Sequence, residues 1–395
     1  MLPPVPHLSP GPHLALVATS ARSLVECAHA DGYQAIALDV FGDVDTCRLA
    51  TCCEPLGSAG LAMDREALLR ALARLRARGD VAGWVAGSGF EAQLDLLDEA
   101  ARLLPLLGNP PEVVRRVRDP GAFFAVLDAL GITYPASSTA LPRDPHGWLV
   151  KDAHACGGWH VRPLGALPDG TGPGRSSAGL HFQRAVAGEP WSCLFLAAAG
   201  DVTLVGFSRQ IVRALGARPY VYRGGIGPLL PSPAVQAALR AAALGLTRAF
   251  GLVGLNGIDF VLDPGGRPWL LELNPRPTAA TQLFAASGLM RAHLDACAGR
   301  PVAGLPVCDA QVRGFETVFV RRPGQVDASV SAWMESQAWC CDIPQPGTRH
   351  AWGDPLCTVR AEGDSAQTVQ RDLAERRRAV LSRLQSLQEN VFGCR

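Results

Sequence analysis

Apolar residues in the first third of the chain fall into short runs separated by stretches of mixed polarity. Residues 14–18, 35–40 and 81–86 are apolar over strand length, while residues 20–30, 65–78 and 91–104 repeat apolar positions at helical spacing. Strands alternating with helices predict a parallel sheet with helices on its faces. The first strand-to-helix turn, Thr19-Ser20-Ala21-Arg22, has no glycine to admit a pyrophosphate. Asp39, which closes the second strand, is therefore expected to be an ordinary strand-end residue and not the ribose acid of a dinucleotide site. Gly108-Asn109-Pro110-Pro111 punctuates the pattern and marks a boundary. A helix near residues 119–130 follows, then a turn at 131–135, then apolar runs broken by Gly and Pro to about residue 275. Residues 168–179, rich in Gly, Ser and Pro, are expected to form a mobile loop. Residues 301–395 read as a small β-rich unit closed by one long helix over 366–388. The chain thus divides into residues 1–108, 109–300 and 301–395, with an α+β fold overall.

Composition narrows the functional classes. A formal net charge of +1 offers no bulk field for nucleic acid or an anionic membrane surface. No run approaches the roughly 20 apolar residues that span a bilayer. The proline-rich start shows no secretory pattern, and no Cys-x-x-Cys spacing occurs among the 12 cysteines. Twelve reduced thiols and a cytoplasmic location are the expectation. Of the 37 basic residues, Lys151 alone is lysine, which directs attention to a position where a compact ammonium is required.

Lys151 ends the apolar strand Trp148-Leu149-Val150-Lys151, and Gly157-Gly158 follow within the turn His154-Ala155-Cys156-Gly157-Gly158-Trp159-His160. Glycines let backbone N–H groups close over an anion while an ammonium nearby neutralises it. A plain β-hairpin with a surface lysine is the competing interpretation. A second segment, residues 256–277, carries two apolar strands about Gly265-Gly266, read as a two-residue hairpin turn. That turn sets Asp259 opposite Glu272, with Glu272, Asn274 and Arg276 on one side of the second strand. Facing carboxylates repel, and a hard divalent ion resolves the repulsion, Asp, Glu and Asn oxygens being the ligands Mg²⁺ prefers. Between these segments, residues 179–193 read as strand, turn at Ala187-Gly188, and strand. Arg276 is suited to anchoring a carboxylate or, alternatively, to a salt bridge at the hairpin end. His154 and His160 beside the glycines read as structural.

Lysine with Gly-Gly, an interdomain strand with an acid, and an Asp/Glu/Asn hairpin, in that order over residues 109–300, resemble the ATP-grasp superfamily. The resemblance implies an ATP-grasp fold with a Rossmann-like N-terminal α/β domain and a small C-terminal β-rich domain, the latter echoed in Gly353-Asp354-Pro355-Leu356. It implies that ATP lies between two halves of the grasp, with Lys151 on its phosphates and Gly157 and Gly158 over them. Gln183, Arg184, Ala185 and Val186 would line adenine, Glu189 would hold ribose, and Asp259, Glu272 and Asn274 would hold Mg²⁺, with Mn²⁺ able to replace it. Lys151 and Arg276 would be the catalytic pair. The family's second phosphate-binding lysine is absent before Gly131, where Arg115, Arg116 and Arg118 are the candidates to replace it. The run Glu272-Leu273-Asn274-Pro275-Arg276-Pro277-Thr278, Gln210, and Tyr222-Arg223-Gly224-Gly225-Ile226-Gly227-Pro228 are similar to a subgroup that includes tyramine–glutamate ligases of methanofuran biosynthesis. The implied activity joins a small-molecule carboxylate to an amine (or thiol) through an acyl phosphate with release of ADP. A carboxylase that activates bicarbonate and a nonenzymatic ATP-binding regulator are the alternatives. A homodimer is compatible with this picture; nucleic-acid and membrane partners are not expected.

Overall fold

The computed structural model describes residues 13–57, 61–166, 179–284, 288–302, 305 and 311–392. The loop expected at residues 168–179 lies outside these, apart from Gly179.

The N-terminal part comprises β1 (His13–Ala18), α1 (Arg22–Ala30), β2 (Gln34–Asp39), α2 (Val44–Leu49), β3 (Cys52–Pro55), α3 (Arg65–Arg78), β4 (Val81–Ala86) and α4 (Leu94–Leu103). Its sheet runs β3-β2-β1-β4 and its pairs are parallel, as the alternation of strand and helix dictates. Asp64 caps α3 by accepting the Ala67 N–H, and Gly79 ends it in a left-handed conformation at φ 77°. Asp39 is fully buried and accepts the N–H groups of Ala21, Phe41 and Gly42, so its carboxylate holds the first turn together. Two elements were not legible in the sequence: α2 and β3 are short and weakly patterned. They also carry a correction, because Cys47 and Cys53 are joined as a disulfide where 12 free thiols were expected.

The middle of the chain opens with α5 (Pro111–Arg118) and α6 (Pro120–Ala129). A small antiparallel sheet follows, β5 (Ser137–Ser138), β6 (Trp148–Asp152), β7 (Arg162–Pro163) and β8 (Leu180–Arg184), in the order β5-β8-β6-β7. Next come β9 (Glu189–Ala198), β10 (Asp201–Leu215), β11 (Arg218–Gly227), α7 (Pro233–Phe250), β12 (Gly254–Leu262), β13 (Pro268–Asn274) and α8 (Leu289–Cys297). The last part holds β14 (Val312–Phe319), β15 (Gly324–Gln325), α9 (Ala328–Glu335), β16 (Cys340–Cys341), β17 (Arg349–His350), β18 (Pro355–Gly363) and α10 (Ala366–Phe392). Strands from both parts form one eight-stranded antiparallel sheet, β13-β12-β9-β10-β11-β14-β18-β16. Strands β14, β18 and β16 therefore extend the central sheet beyond β11, while β15 and β17 pair with each other.

Packing explains this joining. α5, α6 and α7 bury Val117, Phe123, Leu246 and Phe250 against Phe195, Ile258 and Leu273 on one stretch of the sheet. On another stretch, α9 and α10 bury Val330, Met334, Val369 and Leu373 against Val318 and Val359. Glu316, 1% exposed in β14, is paired at 2.6 Å with Arg377 of α10. The small sheet lies over the central one, and the space between them contains the residues described next.

Candidate active site

The β12–β13 hairpin is built differently from the expected two-residue turn, yet presents the expected pair. Its connection runs from Asp263 to Arg267: the Asp263 N–H donates to the Arg267 carbonyl (3.0 Å), and Asp263 Oδ1 accepts the Arg267 N–H (2.9 Å). Leu262 consequently pairs with Pro268 and Phe260 with Leu270, one residue out of the expected register. An irregularity at Leu271 restores it, so that Asp259 does face Glu272. The longer loop and the bulge cancel.

Around that pair the side chains form one network. Ser192 Oγ donates to Asp259 Oδ1 (2.5 Å), and Gln210 Nε2 donates to Ser192 Oγ (2.7 Å). Asn274 Nδ2 donates to Asp259 Oδ2 (3.1 Å) and to Glu272 Oε1 (3.2 Å). Burial, reinforced by the neighbouring Glu272 charge, pushes the Asp259 carboxyl up. Burial would raise Glu272 as well, but Arg118 and Lys151 outweigh it and hold its carboxyl down. The two carboxyls are thus pushed apart, Asp259 up and Glu272 down. Among the described residues no group of three or more His, Cys, Asp or Glu side chains could hold a metal. Two carboxylates plus the Asn274 carbonyl nevertheless suit Mg²⁺, which takes its remaining ligands from water and phosphate. Rotation of the Asn274 amide would present that oxygen.

Facing this hairpin, Lys151 is the penultimate residue of β6, paired with His181 of β8, and donates from Nζ to Gln183 Oε1 (2.7 Å). Gln183 is 1% exposed and is held in turn by donating to Ser137 Oγ (3.2 Å). Burial lowers the Lys151 ammonium, against the pull of Glu272 and Asp259. A cavity lies here, walled by Arg118, Lys151, His160, His181 and Glu272. The Nδ1 atoms of His160 and His181 are buried with no protein partner, and burial, with the Lys151 charge, pushes His181 down to about 4. His160 is pushed down as well, chiefly by burial.

Three arginines had been candidates for the missing second cation, and the structure separates them. Arg115 pairs with Asp95 at the surface (2.7 Å), and Arg116 stacks over Phe250. Arg118 alone reaches the cavity, 3.5 Å from Glu91. Glu91, 5% exposed, also receives Arg276 Nε (2.7 Å) and the Gly89 N–H (2.8 Å). Arg276 thereby ties the hairpin end to the N-terminal part. It donates from Nη1 to Pro277 O (3.2 Å) as well.

Gly157 and Gly158 adopt φ 68° and 73°. The Gly157 carbonyl accepts the Tyr222 N–H (2.9 Å), and a Cβ on Gly158 would stand 1.9 Å from the Tyr220 carbonyl. Glycine is required because the loop rests directly on β11. Beyond Gln183 the chain turns outward. Arg184 stacks over Trp148 and donates to His146 O (2.7 Å), the Ala185 N–H donates to Gly147 O (2.9 Å), and Val186 is half-buried. Glu189 is exposed, 3.7 Å from Arg209, and sits opposite Leu262, three pairs from Asp259. The structure thus brings together Lys151, Gln183, Asp259, Glu272, Asn274 and Arg276 and leaves Glu189 outside that cluster. Ser192, His181 and Glu91 were not found from sequence; only their position in space marks them.

Residues 119–280 match a family model described as an ATP-grasp domain. A stretch of 213 residues is 26% identical to the carbamoyl phosphate synthase large chain of Myxococcus xanthus (strain DK1622), covering 49% of this chain and 19% of that protein. The match thus spans about a fifth of the length of that curated relative. Among solved structures, an L-amino acid ligase from Bacillus licheniformis superposes with a TM-score of 0.65 at 15% identity, covering 93% of this chain and 97% of that one. The biotin carboxylase domain of the Hydrogenobacter thermophilus 2-oxoglutarate carboxylase, a dimer in complex with MgADP, ADP and bicarbonate, superposes with a TM-score of 0.67 at 11% identity, covering 92% and 89%.

Proposed function

We propose that this chain, whose residues 119–280 match an ATP-grasp domain, is an ATP-dependent ligase that joins a carboxylate to an amine through an acyl phosphate, releasing ADP and phosphate. The observation that carries this reading is the convergence of Lys151, Arg118, Asp259, Glu272 and Asn274 from two facing sheets and α5 on one space. Phosphoryl transfer needs charge neutralisation and in-line positioning more than acid–base chemistry, and this arrangement offers the former. Asp259, Glu272 and Asn274 would hold Mg²⁺ (or Mn²⁺), which would neutralise phosphate charge when bound.

In the proposed reaction a substrate carboxylate oxygen attacks the γ-phosphorus of ATP, and ADP leaves. The amine nitrogen then attacks the acyl carbon, phosphate departs, and the nitrogen loses its extra proton. Lys151 and Arg118 balance charge on the transferring group. Gly157 and Gly158 position the loop that excludes water, while residues Gln183 to Val186 take adenine by their backbone and Glu189 takes ribose from the rim. Arg276, bound through Nε and Nη2 to Glu91 and through Nη1 to the Pro277 carbonyl, would steady the substrate carboxylate and the oxyanion that follows. Ligation of an amino acid to an amine, as in the methanofuran-type subgroup, is the finer reading; a cytoplasmic homodimer belongs with it. A carboxylase-like activation of bicarbonate is the second reading, favoured by the resemblance to the bicarbonate-bound biotin carboxylase domain. ADP release measured over a panel of amino acids and amines, with and without bicarbonate, tests the assignment. Release that depends on a carboxylate–amine pair supports the ligase, release that depends on bicarbonate supports the carboxylase, and binding of ATP without release leaves a regulator.

A further inference from the structure

The glycine loop is held in place by residues that do not line the nucleotide cavity. Between Ala153 and His160 the loop is built of small and polar residues, and Trp159 is its one large apolar side chain. His160 is on the cavity wall, whereas the Trp159 indole packs on the buried cluster of Leu215, Val221 and Phe319. Leu215 and Val221 belong to β10 and β11, and Phe319 is the last residue of β14. We propose that Trp159 is a positioning residue whose ring, seated between Phe319 and Arg218, holds Gly157 and Gly158 over the phosphates of the nucleotide. The part of the chain after residue 301 thereby sets how tightly those phosphates are bound. This inference rests on the nucleotide site of the ligase reading and on none of its later chemistry.

Rings and guanidiniums make the seat. Arg218 Cζ stands 4.6 Å over the Trp159 ring, Trp159 meets Phe319 edge to face at 5.4 Å, and Arg223 Cζ stands 5.4 Å over Phe319. Edge-to-face ring pairs and guanidinium–ring contacts each attract beyond the apolar area they bury. Arg223 is the unpaired residue where the β10–β11 ladder shifts register, and its Nη2 donates to Ala214 O (2.7 Å). The tip of that hairpin is braced by the last part of the chain as well. Trp352 lies so close to Gly216 that a Cβ there would stand 2.6 Å from the indole. The next residue, Gly353, donates its N–H to the carbonyl of Val320 (3.0 Å), which follows Phe319. One segment therefore supports both the hairpin tip and the end of β14.

The loop needs such an anchor. Gly157 and Gly158, at φ 68° and 73°, lose more backbone freedom on being fixed than any other residue pair would. The bond from the Tyr222 N–H to the Gly157 carbonyl offsets little of that, since both groups can bond water when the loop lifts. Burial of an indole adds what the backbone contact lacks. Trp159 follows Gly158 directly, and the Val161 N–H donates back to the Gly158 carbonyl (3.2 Å), so the glycines move with the indole. The Tyr222-Arg223 pair thus serves the loop twice, Tyr222 by its N–H and Arg223 by backing Phe319.

The test measures dissociation constants of the full chain for Mg·ATP and for adenosine by calorimetric titration. Adenosine has no phosphates, so it reads the base and ribose end and is blind to the loop. Trp159→Ala should weaken Mg·ATP about tenfold and leave adenosine within about twofold of wild type. Trp159→Phe keeps a ring edge for Phe319 and should bind Mg·ATP within about threefold of wild type. Phe319→Ala, in β14, should weaken Mg·ATP as Trp159→Ala does, again sparing adenosine. The double variant should be no weaker than either single one, because both remove the same contact. Phe319→Leu keeps the apolar bulk without the ring and should show the same selective loss if Phe319→Ala does not fold. Equal losses for Mg·ATP and adenosine, an unchanged Mg·ATP constant in Trp159→Ala, or losses that multiply in the double variant each overturn the inference. Wild type that binds Mg·ATP but releases no ADP with any carboxylate–amine pair overturns the ligase reading alone, and wild type that binds no Mg·ATP overturns both.

Discussion

Lys151 combines two properties that rarely coincide: it is the single lysine of the chain, and its ammonium is buried between Gln183 and the carboxylate pair. A guanidinium is larger, planar and unable to occupy the same point, so Lys151→Arg should lose ATP turnover as fully as Lys151→Ala. Steady-state ADP formation checks this, and wild-type turnover in Lys151→Arg would refute the need for a compact ammonium. At the facing pair, Glu272→Gln removes one of two mutually repelling carboxylates while keeping an acceptor for Asn274. Thermal melts should show an apo protein as stable as wild type or more so, with a smaller shift on adding Mg·ATP. A site weakened tenfold loses about 1.4 kcal/mol of ligand-linked stability at saturation. An unchanged shift with ADP formation retained would remove Glu272 from the metal site.

Between β6 and β7, the glycine loop is seated on β11 through the Tyr222 N–H and the missing Cβ of Gly158. Gly158→Ala puts a methyl against the Tyr220 carbonyl and forces a positive φ on alanine, a strain of about 1–3 kcal/mol. The loop should detach, lowering ADP formation about tenfold or more, since the strain falls on the loop proposed to cover the phosphates. Gly157→Ala meets only the Trp159 ring edge, at 3.1 Å, and should lose less. Equal activities of the two variants would show that contact with β11 is irrelevant to turnover. The hairpin makes a related point about elements. Its loop is one residue out of the expected register, and the irregularity at Leu271 restores the facing pair, so the arrangement of the acids rests on both features together.

Across the whole molecule, Glu91 is the buried joint between the N-terminal part and the hairpin end. Burial alone would raise its carboxyl, but Arg276 and Arg118 draw it down to about 2, from the ordinary 4.5. A lowered acid binds fewer protons folded than unfolded, so its contribution is complete above about 4.5 and is lost as pH falls toward 2. That contribution is roughly 3 kcal/mol. Glu91→Gln leaves Arg276 and Arg118 uncompensated and should cost about 3–5 kcal/mol at neutral pH. Denaturant melts from pH 2 to 7 should show wild type and variant converging at the acid end. A constant gap across that range would mean that Glu91 is not the titrating joint.

The alternation of apolar runs and helical stretches was enough to place the parallel sheet of the first part, since β1, β2 and β4 declare themselves through local burial. The facing of Asp259 and Glu272, expected from a two-residue turn, is met only because the longer loop and the irregularity at Leu271 cancel, while the lone lysine pointed to the opposite wall. The strands and the lysine's place depend on neighbours in sequence. Short elements without a strong pattern, α2 and β3, escaped, and so did the Cys47–Cys53 disulfide between them. The continuity of the central sheet through β11 and β14 was also invisible, because strand pairing between distant segments leaves no local signature. The choice of Arg118 over Arg115 and Arg116, the support of Asp259 by Ser192 and Gln210, and the joining of Arg276 to Glu91 were decided by packing alone. Glu91 and Arg276 are 185 residues apart. Only the tertiary structure brings such a pair within reach, since each side chain alone would suit an exposed surface as well as a buried joint.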